Sequence, residues 1–307
     1  MPALTASRPG RLEFTVGLAM CMALTALGID MALPGFDAMR QDLGLPADST
    51  AIAGVVTVYF IGLAIAQVAC GPLADRFGRK PVLYAGLVVY VGAALAATLA
   101  PDLVTLLVAR FVWGMGAAGP RVVTLSIVRD HHRGEEMARA MSFIMAVFIL
   151  VPIIAPSLGA LVLALATWRW IFAACAVLAA GVLLWSLRLP ESLDPQERLE
   201  LSFGRVLHAA HLVVTNRSTI GYTLALSVLT GAFFSYLASS QIIYDRVFGA
   251  GEQFPLLFGA MAAVMGAGML SNAFIVRHIG VRRLEHGAII VYDIAAVDFQ
   301  EVVDGDG

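Results

Sequence analysis

Eight runs of apolar residues, each about as long as an α-helix needs to be to cross the hydrocarbon core of a bilayer, leave this chain few folds to choose from. They fall near residues 14–36, 51–73, 82–100, 103–128, 140–164, 169–187, 219–243 and 255–276. In lipid every backbone N–H and C=O must be paired within the protein, so only helices and closed barrels can span. Barrel strands would alternate apolar and polar residues over short segments, whereas these runs are continuous and joined mostly by short polar loops. The expected fold is all-α, a polytopic transmembrane helix bundle of about eight spans. Composition agrees: 59% of residues are hydrophobic and 14% charged, and mean hydropathy is +0.83, against roughly 25% charged in soluble domains.

Orientation follows from Lys and Arg, which short loops retain on the cytoplasmic side. With the N-terminus inside, fifteen of the twenty basic residues fall on that side. Only Arg40, Arg169 and Arg246 fall outside, and Arg110 and Arg121 lie within the fourth span. A multi-pass protein of a bacterial-type inner membrane with a cytoplasmic N-terminus is expected. Arg8 and Arg11 precede the first span in the manner of a signal peptide, but the run is too long for one and carries Asp30 near its far end, so it reads as a retained helix. Cys21, Cys70 and Cys175 all lie in spans without paired spacing, which gives no disulfide or metal framework. Neither HExxH nor a Walker-type glycine loop is present. No cofactor, metal, nucleic-acid partner or enzymatic activity is expected.

Four charges, Asp75, Arg76, Arg79 and Lys80, crowd the turn between spans two and three in GPLADRFGRKPVL, residues 71–83. Such a turn between antiparallel helices needs Gly78 for tight backbone geometry, and its basic residues anchor it to the inner face. A merely positive-inside loop would not require Asp75. A longer polar segment, residues 188–218, separates the sixth span from the seventh. Within it Asp194, Pro195 and Glu197 form a capping-box-like helix start, and Leu199, Phe203, Val206, Leu207 and Ala210 follow at helical spacing, as in an amphipathic helix on the inner membrane surface. The chain thus divides into a six-helix bundle (1–187), a cytoplasmic linker (188–218), two spans of a second bundle (219–279) and a non-spanning acidic tail (280–307). Six spans, a linker and further spans is the organisation of a two-bundle transporter.

The run from Gly71 to Lys80 resembles the signature loop between spans two and three of the major facilitator superfamily. IDMALPGFDAM, residues 29–39, resembles the acidic, Leu-Pro-containing signature of the twelve-span drug:proton antiporters; ARFVWGMGAAGPRVV with Arg129 and Asp130 resembles the superfamily's fourth-span motif. VPIIAPSLGA followed by WRWIF at 168–172 is most similar to the bicyclomycin/chloramphenicol resistance branch, Bcr/CflA. The resemblance implies proton-coupled multidrug efflux by alternating access, with membrane lipid, protons and small hydrophobic drug-like solutes as partners. It further implies that a latch of Gly71, Asp75, Arg76, Gly78, Arg79 and Lys80, with Asp130, holds the two bundles together in one state of the cycle.

Other residues are singled out by the cost of placing them in lipid. Asp30 would cost a few kcal/mol if buried ionised; it reads as a proton or cationic-substrate site, or as a helix-end carboxylate reaching the outer surface, given Pro34 four residues on. Arg110 either snorkels outward or faces a cavity and meets an acid, and Arg121, deeper, is expected to face a pocket. Gly114, Gly116 and Gly119 permit close helix approach, while Pro152, Pro156 and Gly159 share one face of span five and loosen its hydrogen bonding. Phe143, Met145, Phe148, Phe233, Phe234 and Tyr236 could line an apolar cavity or face lipid and neighbouring helices. The charges of HHRGEE, residues 131–136, read as a solvated loop rather than a metal site.

RHIGVRR, residues 277–283, echoes RFGRK without its acid, which makes span eight the counterpart of span two. The following LEHGAIIVYDIAAVDFQEVVDGDG is broken by acids and cannot cross a bilayer. The expectation is a C-terminally shortened chain in which spans nine to twelve are missing. A non-transporting membrane fragment and a transporter of another small solute are therefore the alternatives to drug efflux.

Overall fold

A computed structural model describes residues 10–46 and 49–199, and most positions between 204 and 267. The described residues are helical throughout: α1 Arg11–Asp30, α2 Phe36–Asp42, α3 Gly54–Phe77, α4 Arg79–Thr98, α5 Leu103–His131, α6 Gly134–Leu165, α7 Arg169–Ser186 and α8 Arg217–Arg246. Six segments are long and apolar enough to cross a membrane, Leu12–Asp42, Ala51–Phe77, α4, α5, α6 and α7, and they coincide with the first six expected spans. α8 covers the range of the seventh, with Thr219–Leu229 as its apolar stretch; most of the eighth, and the whole acidic tail, lie outside the described residues.

The chain divides into two compact units, Met1–Ala260 and Met261–Gly307. Of the second unit only Met261, Ala263, Val264 and Ala267 are described, all helical. In the first, α1 packs against α5, α6 and α7, α5 against α3 and α4, and α4 against α7. α1 is consequently the inner helix: 89% of its most apolar window is buried, against 24% for α6. Helices packed without a hydrophobic driving force depend on close contact and small residues, and the glycines of α5 supply both. A Cβ on Gly114 would stand 2.0 Å from the Tyr59 carbonyl oxygen on α3, and one on Gly116 would stand 2.5 Å from the Tyr90 nitrogen on α4. A Cβ on Gly119 would stand 3.0 Å from the Gly86 Cα in the same seam.

The first span is not one helix. Pro34 has no N–H to give Asp30's carbonyl, and the backbone tightens instead: Ala32 donates to Ile29 (3.2 Å) and Gly35 to Ala32 (3.0 Å), a single 3₁₀ turn over Leu33–Gly35 before α2 begins. Span five lies against this break. Pro156 and Gly159 are buried, and a Cβ on Gly159 would come within 2.2 Å of the Met31 carbonyl oxygen. α6 continues as a helix through both prolines.

Helix ends reach further into polar sequence than the apolar runs do. α5 extends to His131, α6 begins at Gly134 with Glu135 and Glu136 in its first turn, where negative charge favours the helix dipole, and Glu135 pairs with Arg139 at 2.6 Å. HHRGEE is thus mostly helix end and helix start, and no metal-holding cluster occurs among the described residues. At the other end of α5, Asp102 caps the helix, accepting hydrogen bonds from the Thr105 N–H (2.9 Å) and hydroxyl (3.0 Å). Those bonds hold its carboxyl below the usual range. A lowered pKa contributes stability above the unfolded value near 3.9 and loses it as pH falls through the folded value. Asp102→Ala should therefore unfold earlier than the wild type at neutral pH and converge with it in acid, as followed by thermal unfolding in detergent.

In the linker, Asp194 caps as expected, its side chain accepting from the Gln196 N–H at 2.9 Å. The helix expected to start there is a single 3₁₀ turn, Pro195–Glu197, and Arg198 returns to extended backbone. Leu199 donates its N–H to the Asp75 carbonyl (3.0 Å), a bond across the chain that a helix continuing through 199 would forgo. Phe203, Val206 and Ala210 lie outside the described residues; Leu207 is helical and exposed.

Candidate functional site

α3 and α4 are joined by one residue. Gly78 adopts φ +104°, a conformation open to glycine and few others, and α4 starts at Arg79. The Arg79 guanidinium pairs with Asp75 one turn back on α3 and, through Nε, with Asp130 at the end of α5 (3.1 Å). Three helices are thereby held by one side chain. Lys80 donates to the Leu187 carbonyl (3.1 Å). Arg76 is exposed, and a Cβ on Gly71 would touch nothing within 4 Å, so neither joins the network in this conformation.

A residue that the sequence did not single out completes the arrangement. Glu191, just past α7, accepts from the N–H groups of Arg79 (2.9 Å) and Lys80 (3.2 Å) at the start of α4, and from Ser192 (3.0 Å) and Leu193 (3.1 Å). A carboxylate on the unpaired amides of a helix N-terminus satisfies both hydrogen bonding and the dipole. It also explains the glycine, because a Cβ at 78 would lie 2.4 Å from Glu191 Oε2. Ser192 donates its hydroxyl to Asp130 (2.9 Å). Glu191→Ala should cost about 1–2 kcal/mol, the worth of a helix cap, and Glu191→Gln about half of it; unfolding midpoints in detergent would read the difference. The signal was a lone acid after a proline beyond the sixth span, with nothing local to connect it to position 79, more than a hundred residues away.

The second constellation lies within the bundle. Asp30, the last residue of α1, is 1% exposed and Arg110 on α5 is fully buried. Asp30 therefore does not reach the outer surface as a helix-end carboxylate, and Arg110 does not snorkel. Nor do they pair with each other among the described residues. Arg110 Nη1 donates to the Gly28 carbonyl (2.7 Å) and Nε to Val55 (3.0 Å), and the guanidinium lies on the Tyr59, Trp113 and Phe172 rings at 4.7, 4.8 and 5.5 Å. The Gly28 carbonyl is available because Ala32, whose N–H would bond it in a continuing helix, donates to Ile29 instead. Asp30 Oδ1 and Arg110 Nη2 are left without a hydrogen-bond partner. A buried charge is costly unless paired, and here an acid and a base inside the bundle each keep bonding capacity in hand.

Further along α5, half-buried Arg121 stands 5.7 Å from the Phe148 ring on α6. Phe148 and Met145 pack against the core, whereas Phe143 is exposed. Tyr236 stacks on Phe258 at 6.5 Å; the side chains of Phe233 and Phe234 lie outside the described residues.

The profile of the Major Facilitator Superfamily matches residues 18–297. The chain belongs to that superfamily. Its members are transporters rather than enzymes, and this chain is accordingly a multi-pass membrane protein of the superfamily. Among curated relatives it is 32% identical over 274 residues to an uncharacterised MFS-type transporter, YdgK, of Bacillus subtilis, covering 88% of this chain and 67% of that protein. It is 27% identical over 281 residues to the bicyclomycin resistance protein homolog of Haemophilus influenzae, covering 91% and 70%. It is 33% identical over 231 residues to multidrug resistance protein MdtL of Escherichia coli, covering 72% and 56%. Superfamily structures share the fold: a D-xylose-proton symporter superposes with a TM-score of 0.65 at 15% identity, over 86% of this chain and 69% of the symporter.

Proposed function

We propose that this chain is a proton-coupled exporter of small hydrophobic drug-like solutes, of the bicyclomycin/chloramphenicol type, with its N-terminus in the cytoplasm. The observation that carries the reading is the buried, mutually unpaired Asp30 and Arg110 at the broken end of α1. Asp30 is the group to exchange a proton as its surroundings fill with water or substrate, and Arg110, fixed on two backbone carbonyls, supplies the positive field that changes with it. The Arg79 network supports the alternating-access part, since the charge cluster spans three helices and the linker, where it would form in one state of the cycle and break in the other. Relatives named for bicyclomycin and multidrug resistance support the substrate class, and Arg121 with Phe148 and Met145 offers a cation beside an apolar wall for such a solute.

The test is efflux of ethidium from cells producing this chain, at matched protein level in the membrane. Asp30→Asn, which keeps the shape but cannot exchange a proton, should lower proton-driven efflux about tenfold or more, and Asp30→Glu should retain part of it. Wild-type efflux from Asp30→Asn would overturn the coupling assignment.

A further inference from the structure

At the opposite end of the bundle from the Arg79 network, one carboxylate draws three connections together. Asp42, at the end of α2, accepts through Oδ2 from the Trp168 indole N–H (3.1 Å) and pairs with Arg169. Arg169 also donates to the Ala100 carbonyl between α4 and α5 (3.1 Å), and its guanidinium lies 4.3 Å over the Trp168 ring. The ion pair is half-exposed and of a kind that contributes little by itself. The indole differs: Trp168 is 2% exposed, and a buried indole N–H requires the acceptor that Asp42 provides.

From Trp168 the contacts run inward without a gap. Its ring meets Phe172 on α7 edge-to-face at 5.7 Å, and Phe172 meets Trp113 on α5 edge-to-face at 5.5 Å. Trp113 and Phe172 are two of the three rings on which Arg110 rests. Gly35, in the break of span one, abuts the Trp168 Cβ at 3.6 Å from where its own Cβ would be. The aromatic series therefore starts at the outer loops, touches the helix break and ends at the buried guanidinium.

We propose that Trp168 is a positioning residue for the Asp30–Arg110 centre: its indole, held by Asp42, braces Phe172 against Trp113 and so fixes the wall on which the Arg110 guanidinium lies. The inference rests on the reading of that centre as the coupling site. The hydrogen bond to Trp168, and not the Asp42–Arg169 ion pair, is what transmits the position.

The test uses the purified full chain and variants at Asp42 and Arg169, which leave the rings in place, and then the same comparison without Trp113. Near-ultraviolet circular dichroism reads the tryptophan bands of the edge-to-face series. Asp42→Ala should lose about half of their intensity, Asp42→Asn, which keeps an acceptor, should retain it, and Arg169→Gln, which removes the ion pair and the guanidinium's contacts with the Trp168 ring and Ala100 but leaves the indole bonded to Asp42, should retain most of it. Repeated in a Trp113→Phe background, the Asp42→Ala loss should shrink, because only Trp168 then reports it and the disturbance carried to position 113 no longer has a tryptophan band. In vesicles, ethidium efflux should fall severalfold in Asp42→Ala and stay unchanged in Arg169→Gln. A loss that persists undiminished without Trp113, or an Arg169→Gln spectrum like that of Asp42→Ala, would overturn the proposal, since either shows loosened loops rather than a transmitted position. Failure of the coupling reading would show separately, as wild-type efflux from Asp30→Asn.

Discussion

Gly114→Val is expected to keep the first bundle from assembling. A Cβ at 114 would stand 2.0 Å from the Tyr59 carbonyl oxygen, 2.8 Å from its carbon and 3.0 Å from the Leu63 nitrogen. These are backbone atoms of α3, so no side-chain rotation relieves the contact and the two helices must part. Parting them lengthens the Tyr59 hydroxyl bond to Thr25 (3.1 Å) and moves Val55 away from Arg110. Overpacking alone costs about 1–3 kcal/mol, and the buried polar groups released with it about 1–3 kcal/mol each. The sum is comparable with the whole stability of many domains. Gly71→Ala is the control, since a Cβ there touches nothing within 4 Å. Size-exclusion profiles and unfolding midpoints in detergent should show Gly114→Val aggregated or degraded and Gly71→Ala like the wild type; a monodisperse Gly114→Val would contradict the packing described.

Arg110→Leu should behave in the opposite way, remaining folded while losing transport. The substitution orphans the Gly28 and Val55 carbonyls and forfeits contact with three rings, but it also removes a cation held out of water without a partner carboxylate. Replacing buried charge by apolar volume is often close to neutral for stability. Function has no such compensation if Arg110 supplies the field that Asp30 responds to. Ethidium efflux is expected to fall by about a hundredfold or more, a loss of roughly 3 kcal/mol in the driving interaction. Arg110→Lys sharpens the expectation: it keeps the charge, but an ammonium on a flexible stem does not reproduce a planar fork bonded to two carbonyls. Its efflux should recover only partly, whereas full recovery would reduce Arg110 to a point charge.

Six spans were legible because hydropathy reports the solvent each segment meets, and here that solvent is lipid. The same signal misplaced the helix ends, since α5 and α6 run on into His131 and Gly134, where the helix has left the hydrocarbon and its residues need no longer be apolar. The break in span one was only half legible. Pro34 was visible, but whether Asp30 beside it faces water depends on Met31 lying against Gly159 of α6, a contact that local sequence does not encode. The Arg79 network divides in the same way: Asp75 and Arg79, one helical turn apart, could be paired from spacing, while Glu191 bonds to backbone amides, and every residue has those. The partners of Arg110 escaped for this reason as well: where an acid was expected stand two carbonyls, which leave no mark in a sequence.

The first helix is bound through its main chain. The carbonyls of Leu24, Thr25 and Gly28 accept, respectively, from Tyr90 on α4 (2.7 Å), Tyr59 on α3 (3.1 Å) and Arg110 on α5 (2.7 Å). A ribosome delivers these partners in the order α3, α4, α5, after α1 has already left the tunnel. The helix made first thus waits in the membrane, with Asp30 and its broken end exposed to lipid or to the insertion machinery, until three later helices close around it. The segment with the least lipid contact in the finished protein is the one that spends longest without its neighbours, and loss of its two tyrosine donors, Tyr90 and Tyr59, should surface first as a failure of biogenesis.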